Sequence, residues 1–148
     1  MIETSVETTD LPQRFHALLD RVCTHFNVPH HERTAVLSSQ ALSIGKAPMS
    51  LQLEEWSAFI KVFVDVGRPA DQDAPALHRY LLTQQLIQPA PFYMSAGVHP
   101  ETEHVILYGY SPMPTDAASE EGFFAFLQGC ALLHEAIRVE APAQVVWG

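Results

Sequence analysis

The sequence predicts an α+β fold: a mostly antiparallel five-stranded sheet with three helices, in the order α-β-β-β-α-β-β-α. Three observations predict it. Apolar residues recur at spacings of three and four in two long stretches and one shorter one. Between these stretches the period falls to two, in runs rich in β-branched and aromatic residues. Breaks bearing Gly or Pro close the runs, and residues 99–103 read as a hairpin turn.

Taken in order, residues 1–10 form a flexible tail, and Asp10 followed by Leu11-Pro12 marks a helix start, a cap with proline in the first turn. Phe15, Leu18, Leu19, Val22, Cys23 and Phe26 then place one apolar stripe on a helix over 11–27, which Asn27 and Pro29 close. Residues 28–35 read as a connector. From Val36 the period is two: Leu42 and Ile44 form one strand, Leu51 and Leu53 another, and 59–66 a third. In the third, Ile60, Val62, Val64 and Val66 make a dry face, while Phe59 and Phe63 share the other with Lys61 and Asp65. Asp73-Ala74-Pro75 opens the second helix, with Leu77, Tyr80, Leu81, Leu82 and Leu86, and residues 88–91 end it. Strands over 92–98 and 104–110 follow. Asp116 or Ser119 caps the last helix, whose stripe is Phe123, Phe126, Leu127, Cys130, Leu133 and Ile137, and Pro142 ends it. The single domain is thus expected over 11–142, with a short tail over 143–148. The first and last helices are expected to cover one face of the sheet.

Composition excludes several classes of function. The formal net charge is −9, and the eight Lys and Arg are scattered along the chain, so no nucleic-acid surface is expected. No apolar run approaches the roughly 20 residues of a membrane span, so no membrane association is expected. The acidic, polar start of the chain lacks the basic and apolar regions of an export signal, which leaves a cytoplasmic location. Cys23 and Cys130 each lie on a helical stripe and read as buried, reduced thiols.

Catalytic patterns are missing. There is no GxGxxG, P-loop, HExxH or nucleophile elbow. The eight histidines are poorly spaced for a metal: His30 and His31 are adjacent, and His16 and His25 lie too far apart along one helix. Glu54 and Glu55 point to opposite sides of a strand, and Glu101 and Glu103 flank a turn. No acid–base pair emerges, and neither an enzyme nor a metal or other cofactor is expected. The apolar inventory is more telling. The second helix is apolar on more than one side, which marks it as a subunit interface.

A family resemblance follows from these segments. The run Leu81-Leu82-Thr83-Gln84-Gln85-Leu86, the strand over 92–98, the acidic turn and strand over 100–107, and Ser111-Pro112-Met113-Pro114 together resemble the class I type III secretion chaperones, the Tir-chaperone-like group. The resemblance spans about residues 11–140. Gln84-Gln85 stand where that family commonly carries asparagine, and the linker over 87–91 is long for it.

The resemblance implies a bacterial cytoplasmic homodimer joined around the second helix, with Leu77, Tyr80, Leu81 and Tyr93 at the interface. It implies a secreted effector as partner, its N-terminal segment bound in extended form and kept secretion-competent, and it admits contact with components of the secretion apparatus. By position, the effector groove would be lined by Phe15, Leu19, Leu42, Ile44, Leu51 and Leu53. Two alternatives stand beside it. One is a small-ligand-binding or enzymatic α+β domain with its pocket between helix and sheet. The other is an adaptor subunit inside a larger secretion complex.

Overall fold

A computed structural model describes residues 2–87, 94–140 and 147. The elements in chain order are α1 (Ile2–His25), α2 (His30–Ser39), β1 (Ala41–Ile44), β2 (Ala47–Glu54), β3 (Phe59–Gly67), α3 (Ala74–Ile87), β4 (Ser95–Val98), β5 (Val105–Pro112) and α4 (Ala117–Glu140). The five strands form one sheet in the order β1-β2-β3-β5-β4, and every neighbouring pair is antiparallel.

The alternation seen in the sequence decides which face of the sheet is buried. Leu42 and Ile44, then Ala47, Met49 and Leu51, then Ile60, Val62, Val64 and Val66, then Val105 and Leu107 all turn inward. Helix α4 crosses β1, β2 and β3 on that side and adds Phe123, Leu127, Cys130 and Ile137. The stripe of α1, from Leu11 to Cys23, joins the same core. Each fully buried Leu, Ile or Val side chain here contributes about 1.5–3 kcal/mol over leaving it in water.

Local chemistry sets the element ends. Helix α1 stops where Asn27 takes a left-handed φ of 56°, and the Val28 N–H returns to the Cys23 carbonyl at 2.8 Å. Gly45, at φ 61°, and Lys46 make the two-residue turn between β1 and β2. At the start of α4 the Ser119 N–H donates to Asp116 Oδ1 at 2.8 Å, and the Asp116 N–H donates to Ser119 Oγ at 3.1 Å. Both residues named for that cap therefore take part, with Asp116 as the capping residue. The hydrogen bond from the Ser119 backbone holds the Asp116 carboxyl below its usual range.

The structure corrects the sequence reading in four places. The described residues form four helices, because the segment read as a connector followed by strand is α2. Its apolar pattern is faint: Val36 alone is buried, and Pro29 precedes it with no side-chain cap. The first strand accordingly begins at Ala41. Helix α1 begins at Ile2, well before Asp10, and runs through Pro12 to His25. Strand β4 begins at Ser95, and β5 runs from Val105 to Pro112. The expected features at Tyr93, at 88–91 and at Pro142 lie outside the described residues, as do 143–146 and 148.

One glycine is fixed by both backbone and packing. Gly67 closes β3 at φ 111°, beside a register shift between β3 and β5. A Cβ there would stand 2.7 Å from Arg138 Nη1 and 3.5 Å from Trp147 Cε3. Gly67→Ala is expected to cost about 1–3 kcal/mol through a backbone conformation that only glycine adopts readily. Thermal unfolding measures this directly. A variant melting within one degree of the parent would refute the assignment.

Candidate partner-binding surfaces

Two surfaces matter for a protein partner: apolar side chains left in water, and strand edges left unpaired. The six residues named for a groove mostly provide neither. Phe15, Leu19, Leu42, Ile44 and Leu51 are buried in the chain's own core, and Leu53 is half-buried at the end of the same row. Only Ile44 also borders an open groove.

Helix α3 divides its leucines between two stripes. Leu77 and Leu81, four residues apart, are buried against the core. Leu82 and Leu86, also four apart and five positions on, point to water with Ile87. Leu86 is 88% exposed. Tyr80 is half-buried beside Leu107, Leu133 and Ile137, where α3, β5 and α4 meet. The residues named for a subunit interface thus hold α3 onto its own chain, while the neighbouring stripe faces outward. Tyr93 lies outside the described residues.

The sheet has two edge strands, and they differ. On β4 the Ala96 N–H donates to the Gln85 side chain of α3 at 3.4 Å, so α3 covers part of that edge. On β1 the Leu51 N–H donates to the Gln40 carbonyl at 2.9 Å, which fixes the ladder phase. Ala41 and Ser43 then fall at the alternate positions, opposite Ser50 and Pro48, with their backbone groups directed away from β2; the Ala41 N–H is met by Ser39 Oγ at 3.3 Å, which leaves Ser43 as the outward position. Pro48 has no N–H, so it fits such a position opposite Ser43.

Beside that free edge lies a groove of about 1010 Å³. It is bounded by the end of α1, the β1–β2 turn, the end of β3 and the second half of α4, with Phe26, Ile44, Leu132 and Val139 among its apolar lining. Its rim carries Lys46, Arg138 and three histidines, in a chain that is otherwise acidic. The ring of His25 stacks on Phe124 at 4.4 Å and meets Phe26 edge-on at 4.8 Å, which steadies the α1 wall.

On the α4 wall, Arg138 Nη1 donates to the Val66 carbonyl at 2.9 Å, and His134 is hydrogen-bonded to the Asp65 backbone. Their spacing of four puts both on the side of α4 that meets the end of β3. Burial lowers the His134 pKa, and the Arg138 charge lowers it further, against smaller upward pulls from Asp65 and Glu135. The unfolded chain therefore binds more protons between the folded value and about 6.5, the ordinary histidine value. This contribution to stability is complete above about pH 6.5 and is lost as pH falls through the depressed folded value. The melting temperature is expected to drop between pH 7 and pH 5.5, and less steeply in His134→Gln. Equal slopes in the two chains would refute the role.

Among the described residues no helix packs on the other face of the sheet. Phe59, Phe63, Tyr108 and Tyr110 lie there, with Lys61 Nζ 5.5 Å from the Phe63 ring centre and 5.3 Å from that of Tyr110. The hydrogen bond to Tyr110 is the largest of the effects that raise the Lys61 pKa. Trp56, in the β2–β3 turn, is 88% exposed.

His104 Nδ1 lies 3.0 Å from both Asp65 carboxylate oxygens at the groove rim. Both side chains are about two-fifths exposed, and the lining holds no hydroxyl or thiol for that pair to activate. Cys130 is buried, which pushes its thiol up to about 12, and burial raises Cys23 as well. Among the described residues no three His, Cys, Asp or Glu side chains gather as a metal site, and no helix is long and apolar enough to cross a membrane.

The sequence placed Leu82 and Leu86 on a helix apolar on more than one side but did not single them out for the interface, and it gave no sign of Leu132 and Val139. Two leucine pairs of spacing four, offset by five positions, cannot all face one core. Leu132 and Val139 lie outside the stripe of α4, and only the position of the β1–β2 turn shows what stands beside Leu132.

No family model matches the chain, and no curated protein matches it either. Among solved structures it is similar to a chain in the crystal structure of the ExsC–ExsE complex. The identity is 18%, the TM-score is 0.56, and the match covers 70% of this chain and 76% of that one. The α+β fold with its five-stranded antiparallel sheet is thus one already seen in a two-protein complex.

Proposed function

We propose that this chain is a bacterial cytoplasmic chaperone of type III secretion that binds the N-terminal segment of a secreted effector in extended form and keeps it soluble. The fold that this chain shares with a chain of the ExsC–ExsE complex, together with the family resemblance of its sequence, supports this reading. The observation that carries it is a β1 edge that no further strand covers among the described residues, with an apolar groove at its end. An extended polypeptide adds backbone hydrogen bonds to such an edge and seats alternate side chains in the groove. The acidic surface suits a neutral or basic client.

The protein works as a homodimer in this proposal, joined by the outward stripe of α3 rather than by the residues that anchor α3 to its own core. Binding is passive and needs no nucleotide or metal. The client loses conformational entropy on ordering, so the contact must be long.

Co-expression with neighbouring open reading frames, followed by size-exclusion chromatography and mass measurement, tests the proposal. One chaperone dimer per client chain is the expected stoichiometry. A compact monomer that retains no polypeptide partner would end it. Retention of secretion-machinery components in place of an effector would favour the adaptor reading.

A further inference from the structure

At the end of the groove the chain already receives one of its own side chains. Trp147 forms an antiparallel bridge with Pro69, just beyond the end of β3. Its ring lies under the Arg138 guanidinium, 4.3 Å from carbon to ring centre. The floor is Gly67, where the missing side chain leaves room: a Cβ there would crowd the guanidinium and would touch the indole at ordinary contact distance. Arg138 is itself fixed by its bond to the Val66 carbonyl. The seat therefore combines a flat cation, a bare backbone and a strand end open to pairing. That set selects an aromatic side chain carried on an extended backbone. Gly67 and Arg138 also line the groove, so the seat and the groove are continuous.

We propose that Gly67, Pro69 and Arg138 form a receiving site for one aromatic residue of an extended client segment, and that Trp147 holds this site in the unbound chain as a tethered placeholder. The proposal rests on the client-binding reading above. It adds a sequence requirement for the client, an aromatic residue in an extended segment that reaches the end of β3. It also adds a threshold, since a segment lacking that residue cannot displace Trp147.

The test uses the full chain in two arms. In the first, a synthetic peptide of residues 143–148 is added to the Trp147→Ala chain, and the Gly67 amide is followed by NMR. A saturable shift is expected, with a Kd on the order of 1 mM, as befits a contact normally sustained by its tether. The same peptide with alanine in place of tryptophan should produce none, and Arg138→Gln should abolish the response. No saturable shift in a chain that remains folded would overturn the site.

The second arm uses the co-purified client and a Trp56→Phe chain, in which Trp147 is the sole tryptophan. Client binding should move the Trp147 indole N–H resonance to its solvent-exposed position. Trp147→Ala should bind the client at least about threefold tighter, because no competitor remains. An unmoved resonance with unchanged affinity would make Trp147 a purely structural cover and overturn the placeholder role. If no client is found while the peptide still binds, the receiving site stands and the chaperone reading alone falls.

Discussion

Leu86→Asp is expected to convert the proposed homodimer to a monomer with little loss of fold stability. The side chain is 88% exposed in the single chain, so a carboxylate there remains hydrated when the protein is monomeric. In the dimer it would be buried against the partner's apolar stripe without a counter-charge. Stranding an unpaired charge in this way costs about 3–5 kcal/mol, which weakens association by roughly two to four orders of magnitude. Leu82→Asp should act in the same direction. Leu81→Asp should not serve as an interface variant, because Leu81 is buried in its own chain and aspartate there would unfold it. The two cases are separated by measuring mass in solution together with the melting temperature. A Leu86→Asp chain that still runs at dimer mass would remove α3 from the interface.

That contrast shows how far the sequence alone could reach. The strand β3 was legible residue by residue, because Ile60, Val62, Val64 and Val66 leave no other face to bury. The long amphipathic stripes of α1 and α4 were equally plain. Helix α2 was not, because a single buried valine leaves no periodic signal and its neighbours Ser38 and Ser39 suit helix and strand alike. The groove candidates Phe15, Leu19 and Leu51 illustrate a deeper limit. An apolar residue looks the same in a sequence whether it faces the chain's own core or a partner, and only the sheet order and the path of α4 decide. The Gly67 seat was out of reach for the same reason, since it joins residues 67, 69, 138 and 147.

The edge and the groove can be broken independently, and both variants are expected to weaken client capture while leaving the fold intact. Ser43→Pro removes one outward N–H from β1. Its partner across the ladder is Pro48, so no hydrogen bond to β2 is lost, and an edge strand tolerates proline on its solvent side. A client strand would meet a missing donor and a ring in its path. Losing a backbone hydrogen bond that the client cannot replace costs about 1–3 kcal/mol, before any clash between ring and strand. Leu132→Asp places a carboxylate on the groove wall at a position 56% exposed in the free chain, where it is hydrated until a client covers it. Each variant should lower client affinity at least about tenfold, and together they should reduce it by roughly the product, because edge and groove hold different parts of the client. The measurement is co-purification yield followed by titration, with circular dichroism and dimer mass as controls. If Ser43→Pro binds the client as the parent does while Leu132→Asp does not, the client lies in the groove without extending the sheet. If both bind normally, the client sits elsewhere, and the uncovered aromatic face of Phe59, Phe63, Tyr108 and Tyr110 becomes the surface to probe.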